Sequence, residues 1–186
     1  MKVLIISTCT EKLHEAEFVR PIEDIIKGEC TTKHYSEVDL DVASGFEKVI
    51  ICGTSLQDHK FIEDIKMFNW LKDFGGSVLG ICAGMHVLGL VFGDKLRNKK
   101  EIGYYREKMS GSFLGLEENN DEGEYEVWHL HNSWVDFNEC NWNVFMRSSD
   151  SSKIPEAVKH KQKEFYGVLF HPEVRQKGMI KEFIAL

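Results

Sequence analysis

Proline is scarce. Only Pro21, Pro155 and Pro172 occur, and no stretch rich in proline, glycine and serine divides the chain. An interdomain linker has no compositional support, and 186 residues suit one good-sized core. A single domain over 1–186 is expected. Cysteine is sparse as well: Cys9, Cys30, Cys52, Cys82 and Cys140 are odd in number, widely spaced and contain no CxxC pair. That argues against a disulfide framework or a zinc knuckle and predicts reduced thiols in the cytoplasm. No apolar run is long enough for a membrane span or a signal-peptide core, including the one in MKVLIISTCT. Positive charge is in deficit, with 23 Lys and Arg against 30 Asp and Glu, a net charge of −7. A general nucleic-acid binder carries a basic face. The one basic run, KLRNKK at Lys95 to Lys100, reads as a solvated loop after a helix. Neither GxxxxGK[ST] nor GxGxxG after a strand occurs, so no nucleotide site and no cofactor are expected.

What is present alternates. Val3–Ser7, Lys48–Cys52 and Ser77–Ile81 are short apolar runs without period-two polarity. Such runs suit strands covered on both faces, as in a mostly parallel sheet flanked by helices. Between them lie helical patterns at Glu15–Ile26, broken near Pro21, at Phe61–Phe74 and at Met85–Phe92. The second half reads as strands at Tyr104–Phe113, Glu124–Phe137, Asn143–Arg147 and Glu156–Phe170, with an acidic loop at Glu117–Glu124 and a final helix at Gly178–Leu186. The expected fold is α/β, with a small antiparallel section in the second half.

One strand ends in an unusual way. Gly80-Ile81-Cys82-Ala83-Gly84 is GxCxG, the thiol form of a nucleophile elbow. The glycines are needed because the turn brings backbone too close for side chains. The sulfur is lifted to the carboxyl edge of the sheet, where open α/β sheets bind ligands. It also meets the N-terminus of the next helix, which favours thiolate over thiol. The Ala83 N–H would face a developing oxyanion. Taken alone, the same pattern also fits a small cysteine in a buried turn. A second motif adds weight. FYGVLFHPEV places His171 after an apolar strand, on the same edge, with Glu173 two residues on. His171 is a candidate base and acid, and Glu173 a candidate partner for its other nitrogen.

VLGICAGM and YGVLFHPEV resemble the two signature motifs of the class I (triad) glutamine amidotransferases. Weaker stretches follow in the family's order: VIICGTS, LGLVFGDKL, EVWHLHNSWV and EAVKHKQKEFYGV. The last is similar to archaeal GMP synthetase glutaminase subunits. The resemblance implies a flavodoxin-like, doubly wound fold. It implies that Cys82 is the nucleophile, His171 the general base and acid, and Glu173 the orienting carboxylate. Gly53 and Ala83 would form the oxyanion hole, and Thr54, His86 and His131 would contact substrate. The substrate would be glutamine, and a synthetase subunit would accept the ammonia. Three positions depart from the family pattern: His86 and Leu169 each replace a Gln, and Cys52-Gly53-Thr54 replaces Gly-Gly-Pro. His86 fits either a substrate contact or a surface position. A γ-glutamyl hydrolase with the same triad and a non-catalytic binding relative remain open. His129 and His131 share one strand face, but no carboxylate or cysteine lies at ligand spacing in the sequence, so no metal is expected. Trp128, Trp134 and Trp142 are expected in the core or at a partner surface.

Overall fold

The computed structural model describes residues 2–28, 30–117 and 124–186. The chain runs β1 (Val3–Ser7), α1 (Glu15–Phe18), α2 (Arg20–Ile26), β2 (Cys30–His34), α3 (Leu40–Ala43), β3 (Lys48–Ile51), α4 (Lys60–Glu63), β4 (Ser77–Ile81) and α5 (Ala83–Val91). It continues with β5 (Lys95–Met109), β6 (Glu124–Asp136), β7 (Trp142–Arg147), β8 (Pro155–His160), β9 (Phe165–Val168) and α6 (Lys177–Ala185). Among the described residues these strands form one nine-stranded sheet, in the order β2-β1-β3-β4-β9-β8-β7-β5-β6. The pairs from β2 through β9 are parallel. Those from β9 through β6 are antiparallel. The sheet is thus mixed α/β, parallel first and antiparallel later.

The apolar runs explain the parallel half. Leu4, Ile6, Val49, Ile51 and Val78 pack into one core cluster. Val3, Ile5, Ile50, Leu79 and Ile81 pack into the other. Alternate residues of each strand therefore bury against opposite layers, which is why these runs show no polar face. Each such side chain contributes about 1.5–3 kcal/mol on burial. Lys48 is buried at the start of β3, and its Nζ donates to the Phe183 carbonyl of α6 at 2.7 Å.

Several expectations need correction. The basic run Lys95–Lys100 is not a loop but the start of β5, paired with β6 from Lys95↔Asp136 onward. Its charges stay solvated while its backbone joins the ladder; Arg97 pairs with Asp136 at 3.1 Å. The Phe61–Phe74 pattern is not one α-helix. After α4 it becomes a 3-10 helix, Ile65–Lys72. Phe68 and Leu71 are three apart and both buried, the period of that tighter helix, and Phe74 is buried just beyond its end. The strand expected to reach Phe113 stops at Met109, and Glu156–Phe170 divides into β8 and β9. β2, whose sequence CTTKH has no apolar run, is an edge strand paired only to β1. The break near Pro21 falls at Val19, between α1 and α2. The acidic loop Glu117–Glu124 lies mostly outside the described residues. Trp142 is a core residue, and Trp134 packs against the same cluster.

Candidate active site

β4 and β9 are parallel neighbours with Ile81 opposite Val168. Both chains leave the sheet on the same edge. On one side the Cys82 N–H donates to the Val168 carbonyl at 2.8 Å, and the backbone then turns at φ 50, ψ −101. That left-handed φ is strained for a non-glycine residue. A Cβ on Gly80 would sit 2.5 Å from the Gly84 carbonyl oxygen, and one on Gly84 would sit 2.1 Å from that of Ile51. Both positions require glycine. Cys82 is thereby set at the N-cap of α5, 4% exposed.

On the other side, the His171 N–H donates to the Trp128 carbonyl at 2.8 Å, which seats the ring against β6. The His171 Nδ1–H donates to Glu173 Oε1 at 2.7 Å, with both residues buried. Burial works against a charged ring. The neighbouring Glu173 carboxylate and Cys82 sulfur outweigh it and hold the His171 pKa well above its usual value. The thiol itself is directed at the Leu130 carbonyl, 3.6 Å away, and His171 Nε2 has no hydrogen-bond partner. The sulfur nonetheless lies close enough to the ring for its charge and a hydrogen-bonding contact both to favour the protonated imidazole.

Gly53 lies against both groups. A Cβ there would meet His171 Cε1 at 2.7 Å and Cys82 Cβ at 3.5 Å. The loop that carries it is tied down: the Thr8 hydroxyl donates to the Cys52 carbonyl at 3.1 Å, and Thr54 Oγ1 donates to Asp58 Oδ2 at 2.9 Å. Asp58 also accepts from the Thr10 N–H at 2.6 Å and the Thr10 hydroxyl at 2.7 Å. Burial raises the Asp58 pKa, but these donors outweigh it and the net shift is downward. The Asn132 amide donates to the Leu56 carbonyl at 2.7 Å, fastening the same loop to β6. Asp58 and Asn132 carry no sequence motif, and nothing in the chain pointed to them.

A narrow cleft open to solvent lies beside the sulfur, lined in part by Thr54, Phe61, Cys82, Ala83, His86 and His131. His86 is a buried lining residue; the surface reading is wrong. Its Nε2–H donates to the Ser133 carbonyl at 3.0 Å. Burial, with His131 adding to it, pushes its pKa down to about 3. The ring is neutral near pH 7, and its Nδ1 is an acceptor. Leu169 is different: it is fully buried in the core cluster and does not line the cleft. Of the three departures from the family pattern, two therefore lie near the cleft and one does not.

His129 and His131 project together, His131 Nε2 lying 3.1 Å from His129 Nδ1. The sequence showed no carboxylate at ligand spacing, yet pairing of β5 with β6 sets Glu101 directly opposite His131. Glu101 Oε2 lies 3.3 Å from His131 Nε2, and Glu156 of β8 lies 3.5 Å from His129 Nε2. A register shift between Asn98 and Glu101 helps to hide this from the sequence. Burial lowers the His129 pKa to about 4 and raises that of Glu156 to about 9.

A cysteine on a strained strand–helix turn, beside a buried His–Glu pair on a mixed sheet, is the layout of the nucleophile-elbow α/β proteins. The comparisons narrow the class. Residues 25–185 match the class-I glutamine amidotransferase family, and the chain belongs to it. It is 34% identical over 125 residues to a glutamine-hydrolysing GMP synthase of Vibrio parahaemolyticus, covering 62% of this chain and 23% of that protein. A GMP synthase of Francisella tularensis is 30% identical over 160 residues, covering 78% of this chain and 30% of that protein. The chain thus corresponds to the glutaminase portion of these relatives and spans about a quarter to a third of their length. Among solved structures, a Thermoplasma acidophilum protein provisionally assigned as one component of a GMP synthase superposes with a TM-score of 0.82 at 18% identity, covering 100% of this chain and 92% of that one. A glutamine amidotransferase of Thermotoga maritima gives 0.65 at 17% identity, covering 100% and 81%.

Proposed function

We propose that this chain, as a single domain, hydrolyses the side-chain amide of glutamine and supplies ammonia to a GMP-forming synthetase partner. The observation that carries the reading is the convergence of Gly53 and the His171–Glu173 pair on Cys82, whose side chain lines a cleft. In this reading the Cys82 thiol gives its proton to His171, and the sulfur attacks the amide carbon. The oxyanion is met by the N–H groups of Gly53 and Ala83; the latter opens α5 and is one of the helix's unpaired donors. His171 returns the proton to the nitrogen, the C–N bond breaks and ammonia leaves a thioester. Water, deprotonated by His171, cleaves the thioester to glutamate and restores the thiol. Glu173 stabilises the imidazolium at each stage. Thr54, His86 and His131 line the space the rest of the substrate would fill. The parallel half supports the finer fold reading as well. The order β2-β1-β3-β4-β9 is the flavodoxin-like order, with both faces covered.

The test is ammonia and glutamate release from glutamine, with and without candidate synthetases. Turnover that a synthetase raises is expected; no release from glutamine in either setting overturns the reading. Two departures from the family pattern line the cleft, His86 and Thr54, and they support a second substrate class, a γ-glutamyl compound. Release from γ-glutamyl peptides without a partner, and none from glutamine, would favour it.

A further inference from the structure

We propose that Glu101, His129 and His131 form a binding site for a divalent first-row transition ion of the zinc type. The three side chains come from β5 and β6 and are at most 4% exposed. One donor atom from each lies within 4.8 Å of the others. Two of the separations are known individually: His131 Nε2 to His129 Nδ1 is 3.1 Å, and His131 Nε2 to Glu101 Oε2 is 3.3 Å. A tetrahedron with metal bonds of about 2.0 Å has edges of about 3.3 Å. Two of the three separations already stand at that spacing.

Around one of the two histidines, His129, the surroundings have the form expected of a metal ligand; His131 Nδ1 has no hydrogen-bond partner. A histidine ligand usually gives its second ring N–H to a carboxylate. With Nδ1 on the ion, His129 Nε2–H faces Glu156 Oε2 at 3.5 Å. Glu101 has its other oxygen on Lys99 Nζ at 2.8 Å, while Oε2 is turned toward the histidines, 3.3 Å from His131 Nε2. Without an ion the cluster is poorly satisfied. Glu101 Oε2, His129 Nε2 and both oxygens of Glu156 lack hydrogen bonds although fully enclosed. Buried polar atoms without partners cost free energy, and native proteins carry few of them. A cation at the centre engages Glu101 Oε2 directly and draws the His129–Glu156 contact closed. Two imidazoles with one carboxylate suit zinc, cobalt or nickel rather than calcium or magnesium.

Such an ion would act as a brace behind the cleft. It fixes the segment of β6 whose Trp128 carbonyl holds the His171 N–H and whose Leu130 carbonyl receives the Cys82 thiol. The proposal stands apart from the hydrolytic reading, because binding is measured without turnover. The whole chain is stripped with chelator in denaturant and refolded with one equivalent of Co²⁺. One ion per chain is expected, with the visible bands of four-coordinate nitrogen and oxygen ligation and no thiolate charge-transfer band, and Cys82→Ala should leave them unchanged. Glu101→Gln should weaken binding at least tenfold, and Glu156→Gln by about 10–100-fold. Because refolding can fail, elemental analysis of chain expressed with added Zn²⁺ gives a second measure, with stoichiometric zinc expected. No stoichiometric metal by either route, an intense thiolate band, or unchanged affinity in Glu101→Gln would overturn the proposal.

Discussion

The two halves of the sheet are built on different principles. In the parallel half, β1, β3, β4 and β9 are short and buried on both faces. In the antiparallel half, β5 and β6 are 15 and 13 residues long, and their faces differ in polarity. β6 turns Val127, His129, His131, Ser133 and Val135 inward, three of them polar. The parallel strands act through their ends, which deliver Cys82 and His171. The antiparallel strand β6 acts along its length, through carbonyls and side chains that close the cleft. Apolar packing makes a rigid base, and polar residues are concentrated where that base is covered.

The comparison can be broken most sharply at a strand end. Cys82→Ala should remove at least about 10⁴-fold of any glutaminase turnover in an ammonia assay, with little change in melting temperature. An equal loss of folding would make the cysteine a packing residue. Next comes Glu173→Gln, expected to cost about 10²–10⁴-fold. Losing the carboxylate removes a charge that raises the His171 pKa, so the inflection of the rate profile, or of the His171 ring NMR signal, should move to lower pH. An unmoved inflection would take Glu173 out of the site.

Stability should separate the halves more directly. Ile50→Ala in β3 removes a fully buried side chain and should cost about 2–5 kcal/mol in denaturant unfolding. Ile102→Ala in β5 removes one that is 45% exposed and should change stability by no more than about 0.5 kcal/mol. Similar costs for both would erase the distinction. Acid should act on the buried rings. Burial depresses His86 to about 3 and His129 to about 4, against 6.5 for a free ring. In that window the unfolded chain binds more protons than the folded one, so these rings make stability fall as pH drops below about 6.5. Each contributes up to about 1.4 kcal/mol per pH unit. His86→Gln should flatten the acid limb of a stability–pH curve by up to that amount, and an unchanged limb would mean that His86 titrates normally.

Much of the site was legible because its signals are local. GxCxG specifies a turn that only glycines permit, and an apolar run ending in His-Pro-Glu specifies a strand end. β4 was placed without error for the same reason. Where residues act through distant partners, legibility failed. CTTKH becomes a strand only because β1 offers an edge. KLRNKK is laddered only because β6 lies beside it. His86 could be read as exposed or enclosed until Ser133 supplied its carbonyl. Leu169 departs from the family pattern inside a motif, yet its side chain is buried in the core.

The linear chain determined which backbone segments are apolar and where its sharpest turn falls, because sterics and burial act residue by residue. Tertiary structure alone decided that Glu101 and Glu156 face two histidines and that Asp58 holds the loop bearing Gly53. Those meetings depend on strand register and loop closure, and both are set by contacts between segments tens of residues apart.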